Sequence, residues 1–290
     1  RRCVRGTSDP VGLQCSCSSG SVILFYEYST VSDPGTTAAD LRKFCLELDL
    51  YGKVRIATEG VNVTLGGSTS AIEKFRAGVS SVLPLLQHID PMDDAFFKPG
   101  QGCKHCFTDL SVKIVDEICP FGGRNPLSMR TDTGKEGIGP RITGLTPQKF
   151  HQELSNLADD KDTIVIDVRN YYESRIGFFE NAVRPAIRRF SSFADWVDEN
   201  CDTLAGKRIF TYCTGGIRCE KGAAYILDKV GSEVYMLDGG IHAYLEWAAK
   251  ETSQPCLFKG ANYVFDARLN AILVVVAQIA MQSAVKRTAI

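Results

Sequence analysis

Between Val22 and Glu117 the spacing of hydrophobic and polar positions changes period several times. VILFYEY is an apolar run of strand length, and TTAADLRKFCLELDL then places its apolar residues at helical intervals behind a threonine cap. KVRIATEG and VNVTLGG, separated by a Glu-Gly turn, read as two paired strands. STSAIEKFRAGVSSVL returns to the helical period, and LSVKIVDEI reads as a last strand. The order strand-helix-strand-strand-helix-strand predicts a ferredoxin-like α+β domain over residues 21–118, behind a disordered leader over residues 1–20.

From 119 to 145 the period disappears. FGGRNPLSMRTDTGKEGIGPRITG is rich in glycine, proline and charge and reads as a linker. A second domain, residues 146–250, opens with LTPQKFHQELSNL, where Thr146 caps a helix and Pro147 takes its first position. TIVIDVRN is a buried strand, KRIFTYC another, CEKGAAYILDKVG a helix and EVYMLDGG a third strand. Strands alternating with helices predict parallel pairing in an open α/β sheet, whose ligands sit at the carboxyl ends of the strands. Residues 251–290 form a C-terminal extension. Its run NAILVVVAQIAMQSAV is short for a membrane span and is interrupted by Asn270, Gln278 and Gln282, so a docked or loosely packed helix is expected, without stable membrane insertion.

Composition narrows the class. With 290 residues, 44% hydrophobic content, 23% charge and a net charge of -1, the chain reads as a globular protein large enough for two cores. Nothing at whole-chain level demands a polyanionic partner. Eleven cysteines are an odd count in a chain too large to need stapling, which points to an intracellular, reducing compartment, cytoplasmic or organellar. The Arg- and Ser-rich opening RRCVRGTSDPVGLQCSCSSGS resembles the end of an organelle transit peptide or the edge of a fragment. CKHC, from Cys103 to Cys106, has the spacing of a metal or redox pair, but no second pair completes a zinc site, so no metal is predicted. The chain carries no nucleotide, flavin or haem motif.

The chemistry concentrates in TYCTGGIRCEKG. Cys213 falls at the carboxyl end of a strand and immediately before a helix. Thr214, Gly215, Gly216 and Ile217 make a tight loop whose backbone N–H groups point inward, and the helix N-terminus and Arg218 add positive charge. That setting lowers a thiol pKa and predicts a reactive Cys213. Asp167 and Arg169 lie on the same rim and read as an internal ion pair holding the strand-loop junction, with Glu173 in the next turn as a loop anchor. Arg218 closes the cradle and is a candidate direct ligand for an anion. Cys219 reads as a core residue, with a resolving disulfide to Cys213 as the alternative. Arg184, Arg188, Arg189, Lys207, Arg208 and Lys221 surround these motifs in sequence, either as contacts for RNA phosphates or as solvated surface charge.

A Cys-centred loop ending in arginine, preceded by DVRN and YYE and followed by LDGGIHAYLEW, resembles a rhodanese domain. The fuller combination IDVRNYYESRIGFFENAV, RRFSSFADW, YCTGGIRCEKGAAYI and LDGGIHAY behind GKVRIATEGVNVTLGG resembles the tRNA uridine hydroxylase family of rhodanese-like proteins and its eukaryotic branch. The likeness runs from Val22 to Arg268. It implies a parallel-sheet α/β rhodanese domain preceded by a ferredoxin-like, acylphosphatase-like α+β domain, with Cys213 as the essential cysteine, carrying a persulfide or otherwise reacting covalently. It also implies tRNA as partner and oxygen-dependent 5-hydroxylation of the wobble uridine, with molecular oxygen as co-substrate. The loop chemistry alone equally suits a sulfurtransferase that passes sulfur from thiosulfate or another small donor through a Cys213 persulfide. A non-catalytic scaffold fits poorly with a loop that keeps both Cys213 and Arg218. Eukaryotic relatives carry a Cys-rich segment after the rhodanese domain, whereas here FKGANYVFDARL leads into an apolar run.

Overall fold

A computed structural model describes residues 20–124, 126, 142–157, 160–251 and 254–263. The predicted leader, the apolar run after Leu269 and most of the predicted linker lie outside the described residues. The chain divides into two compact units between Cys119 and Pro120.

In the N-terminal unit, β1 (Ser21–Glu27) is followed by α1 (Pro34–Glu47), the hairpin β2 (Tyr51–Ala57) and β3 (Gly60–Gly67), and α2 (Thr69–Val82). The short helix α3 (Asp94–Phe97) and the strands β4 (Gly100–Gln101) and β5 (Leu110–Ile114) complete it. Helix α1 starts earlier than its threonines suggest: Asp33 is the cap, its carboxylate accepting from the N–H groups of Gly35 at 2.9 Å and Thr36 at 3.0 Å, with Pro34 pre-set in the first position. The sheet order is β4-β1-β3-β2-β5. The place beside β1 is held by the two residues of β4, while the predicted last strand lies at the opposite edge as β5, parallel to β2. Ile23, Phe25, Val54, Ile56, Val61, Val63 and Leu65 on the sheet and Leu41, Ile72, Phe75 and Val79 on the helices share one apolar core. At Gly60 the backbone has φ +148°, and a Cβ there would meet the Glu27 carbonyl oxygen. Only glycine lets β3 approach β1 so closely.

The C-terminal unit is an open sheet of order β6-β10-β9-β7, every pairing parallel: β6 (Ile142–Leu145), β7 (Thr163–Asp167), β9 (Arg208–Tyr212) and β10 (Val234–Leu237). Helices α4 (Pro147–Ser155), α5 (Tyr171–Ser174), α6 (Phe193–Glu199), α7 (Cys201–Leu204), α8 (Ile217–Val230) and α9 (Gly240–Lys250) connect its strands, and β8 (Gly177–Phe179) pairs with β11 (Phe258–Gly260) in a small antiparallel ribbon. Thr146 accepts from the Lys149 N–H at 3.4 Å to cap α4, with Pro147 at the first position. Both ends of the stretch expected as linker carry structure. Phe121 is buried against the rings of Phe190 and Tyr225, and Ile142–Leu145 is the edge strand β6. Four residues set between Pro140 and Pro147 carry too little periodicity to be read as a strand; their pairing with β10 makes them one.

Candidate active site

Parallel pairing sets Asp167 beside Tyr212, so β7 and β9 end together and deliver their loops to one rim. Cys213 follows β9 directly and is 0% exposed. The chain then turns through Gly216, whose φ of +102° favours glycine, and enters α8 at Ile217. That turn aims the Gly216 N–H at the Cys213 sulfur, 3.1 Å away, and the N–H groups of Arg218 and Cys219 also donate to it. Burial pushes the Cys213 thiol pKa up. The hydrogen bond from the Cys219 thiol, the Arg218 charge and the backbone donors outweigh it and bring the value down to about 6. Cys45 is the contrast: buried in the N-terminal core without such donors, its thiol is pushed up to about 12.

The loop is held from two sides. Beneath it, the Arg218 guanidinium grips Glu173 in two parallel bonds, Nη1 to Oε1 at 2.6 Å and Nη2 to Oε2 at 2.7 Å. The Thr214 hydroxyl accepts from Arg218 Nη2 at 3.0 Å and donates to Glu173 Oε2 at 3.3 Å. Glu173 also accepts from the Asn170 N–H at 3.2 Å, forming a capping box at the start of α5. Burial alone raises the Glu173 pKa, but the hydrogen bonds and charge of Arg218, helped by Arg169, hold it below the usual carboxylate range. Arg218 therefore departs from the expected role as an open anion ligand. Its guanidinium is committed to an internal carboxylate, and its charge reaches Cys213 from below. Asp167 and Arg169, both fully buried, form a second pair, Nε to Oδ1 at 2.8 Å and Nη2 to Oδ2 at 2.6 Å, with Arg169 also donating to the Gly177 carbonyl at 2.5 Å.

From the other side, the turn after β10 closes on the loop. Ile241 N–H donates to the Cys213 carbonyl at 2.9 Å and His242 N–H to the Thr214 carbonyl at 3.1 Å. Gly240 has φ +66°, and a Cβ there would stand 2.6 Å from the Cys213 carbonyl oxygen. The pattern LDGGIHAY held this information in its paired glycines, but nothing in the local sequence says which backbone they approach.

The basic residues divide. Lys221 is fully buried, on the inner face of α8, and is removed from any phosphate-binding surface. Lys207 pairs with Asp162 at 3.0 Å and Arg208 with Glu153 at 3.1 Å. Arg184, Arg188 and Arg189 are exposed, and Arg184 stacks over the Phe178 ring at 4.1 Å. CKHC forms a 3-10 turn with Cys103 N–H 3.5 Å from the Cys106 sulfur; among the described residues no group of three His, Cys, Asp or Glu side chains stands where it could hold a metal ion.

The family described as UPF0176 acylphosphatase like domain matches residues 20–118, and the rhodanese-like domain matches residues 150–246. A tRNA uridine(34) hydroxylase of Staphylococcus carnosus is 36% identical over 249 residues, which cover 86% of this chain and 72% of that protein. The chain belongs to the tRNA uridine(34) hydroxylase family. A second protein of that name, from Onion yellows phytoplasma, is 35% identical across 88% of this chain and 76% of its own length. Rhodanese-like domain-containing protein 6 of Arabidopsis thaliana is 35% identical across 86% of this chain and 43% of its own length. In this member of the tRNA uridine(34) hydroxylase family the rim also includes a segment beyond the rhodanese motifs. After β11, Ala261 N–H donates to the Ile176 carbonyl at 3.1 Å, and the Tyr263 ring meets that of Tyr172 at 5.6 Å. The sequence FKGANY carries no catalytic residue type in a telling pattern; only its pairing with β8 brings it to the site.

Proposed function

We propose that this chain hydroxylates C5 of the wobble uridine in tRNA, with molecular oxygen as co-substrate and Cys213 as the reacting side chain. The observation that carries the reading is the Cys213 sulfur itself, held by inward N–H groups with its pKa down at about 6, in a chain whose two domains align with the hydroxylases along most of their length. At neutral pH the side chain is a thiolate, the nucleophilic form. Uracil offers such a nucleophile its electron-poor C6, and addition there enriches C5, the carbon that takes oxygen. The cradle donors stabilise the sulfur anion before attack and after release. Glu173 and Arg218 hold the loop in shape and keep its charge balanced. Because the sulfur is fully covered, the base reaches it only after surrounding residues move. Exposed Arg184, Arg188 and Arg189 supply charge for the RNA backbone.

The test is nucleoside mass spectrometry of tRNA from a bacterial strain that lacks its own wobble-uridine hydroxylation, complemented with this protein or with Cys213→Ser. Return of 5-hydroxyuridine with the native cysteine alone supports the reading, and its absence with folded native protein overturns it. One observation favours a second reading, a sulfurtransferase. A ring of backbone donors around sulfur suits a persulfide anion as well as a thiolate. Loading the protein with thiosulfate and finding one added sulfur on Cys213, transferable to cyanide, supports that reading.

A further inference from the structure

The buried charges at the rim are bonded several times over, but a neutral side chain beside them is bonded to nothing. Asn262 follows β11 and is 2% exposed, and among the described residues neither its Nδ2 nor its Oδ1 has a hydrogen-bond partner. The other described side chains with an orphaned buried atom keep a polar partner at a second atom or close by. Arg76 Nε donates to the Pro91 carbonyl at 2.6 Å, Arg169 Nε to Asp167 at 2.8 Å, and Asn170 Nδ2 to the Tyr172 hydroxyl at 3.0 Å, while His242 Nε2 stands 3.3 Å from Glu246. A buried donor or acceptor without a partner destabilises a fold, and at Asn262 an entire carboxamide is in that state.

The chain ties this amide to the Cys213 loop. On one side of it Ala261 N–H donates to the Ile176 carbonyl at 3.1 Å, and on the other the Tyr263 ring meets Tyr172 edge-on, with centroids 5.6 Å apart. Tyr172 is 39% exposed and directly precedes Glu173, whose carboxylate accepts from the Thr214 hydroxyl at 3.3 Å. Thr214 is the residue after Cys213. A short run of contacts therefore joins the unpartnered amide to the reacting sulfur.

We infer that Asn262 reads the substrate base, its Oδ1 accepting from uracil N3–H while its Nδ2 donates to the neighbouring carbonyl oxygen. A carboxamide holds a base edge in this way, through one donor and one acceptor side by side. The inference deepens the hydroxylase reading above and rests on it for the identity of the base. Uracil carries N3–H between O2 and O4 on one edge and C5 and C6 on the opposite edge. Held by the first edge, it offers the second, so amide and sulfur take opposite sides of one ring. A wobble base lies in a single-stranded loop, where bases can be splayed out and read on the Watson–Crick edge. The amide has already lost its water in folding, so the bonds it forms with the base are gained without a further desolvation cost on the protein side.

The experiment uses the full chain and two synthetic anticodon stem-loops that differ only at the wobble position, uridine in one and N3-methyluridine in the other. Methylation removes N3–H and leaves C5 and C6 as they are. Binding is read by fluorescence anisotropy and 5-hydroxyuridine by single-turnover mass spectrometry, for native protein and for Asn262→Leu, which keeps the size of the side chain and removes its polar atoms. Native protein is expected to bind the uridine loop about 10- to 100-fold more tightly than the methylated one and to hydroxylate it faster by a similar factor. Asn262→Leu is expected to bind the two loops alike, to hydroxylate uridine more slowly by that same factor, and to melt at or above the native temperature, because the amide it removes makes no bond in the free protein. Equal binding of the two loops by native protein, or a preference that survives Asn262→Leu, overturns the inference. Full-rate hydroxylation by Asn262→Leu overturns it too and leaves the hydroxylase reading standing. A melting temperature well below native marks an amide that the fold itself uses, and also overturns it. Native protein that prefers the uridine loop through Asn262 yet forms no 5-hydroxyuridine overturns the hydroxylase reading and leaves the base recognition standing.

Discussion

In the N-terminal unit the sheet face against the helices, from Ile23 and Phe25 to Val63 and Leu65, is apolar throughout. In the C-terminal unit the carboxyl edge of the sheet buries Asp167, Arg169, Glu173 and Arg218. Apolar burial stabilises by about 25 cal/mol per Å², without direction. A buried ion pair returns little net stability, because desolvation cancels most of its attraction, but it fixes geometry in two bonds at once. The first unit is therefore held by area and the second, at its edge, by orientation. The edge is where a sulfur anion must meet its N–H donors.

Two substitutions should separate these modes most sharply. Phe75→Ala removes a fully buried ring from the first core and is expected to cost about 3–5 kcal/mol, read as a lowered denaturant midpoint of the N-terminal unit with Cys213 titration unchanged. Glu173→Gln removes the carboxylate that the buried Arg218 grips in two bonds and is expected to cost about 3–5 kcal/mol in the C-terminal unit, with loss of activity. If activity survived Glu173→Gln intact, orientation by this pair would not be what the edge needs.

Gly240→Ala places a side chain at φ +66° and against the Cys213 carbonyl. The expected cost is roughly 1–3 kcal/mol, with a larger fall in kcat than in thermal stability would suggest, because the loop itself is displaced. Cys213 has a depressed pKa of about 6, so its thiolate is present above that pH and is lost as pH falls through it. Ultraviolet thiolate absorbance should therefore rise across pH 6, and Arg218→Gln should move that midpoint upward. A midpoint near the ordinary thiol value in the native protein would contradict the cradle. The smallest effect is Asp33→Ala, expected to cost about 1 kcal/mol by thermal unfolding and to leave the Cys213 titration in place.

How far the sequence was legible follows the same division. Period and alternation depend on area, so both units, most of their elements and the strand-end position of Cys213 could be read directly. Local punctuation misled at Asp33, where the threonines of TTAAD drew attention from the Asp-Pro ahead of them. Edge position was not legible: Leu110–Ile114 reads as a closing strand, but only long-range pairing says that it joins β2 and leaves the place beside β1 to two residues. The direction of charged side chains was not legible either. Arg218 at a loop end looks like a ligand, and Lys221 one turn on looks like surface charge, until Glu173 and the inner face of α8 claim them. The resemblance to a known family supplied what periodicity did not, the joint meaning of the motifs on both sides of the linker.

The pairing of β8 with β11 bears on where this chain can be cut. A fragment trimmed at Lys250, where α9 stops, would discard Phe258, which packs on Phe179 with ring centroids 5.2 Å apart. It would also strip the partner from Gly177, Phe178 and Phe179, leaving an open strand beside an uncovered aromatic surface. Bare edges of that kind recruit other chains. An excised domain needs its trailing ribbon to stay monodisperse.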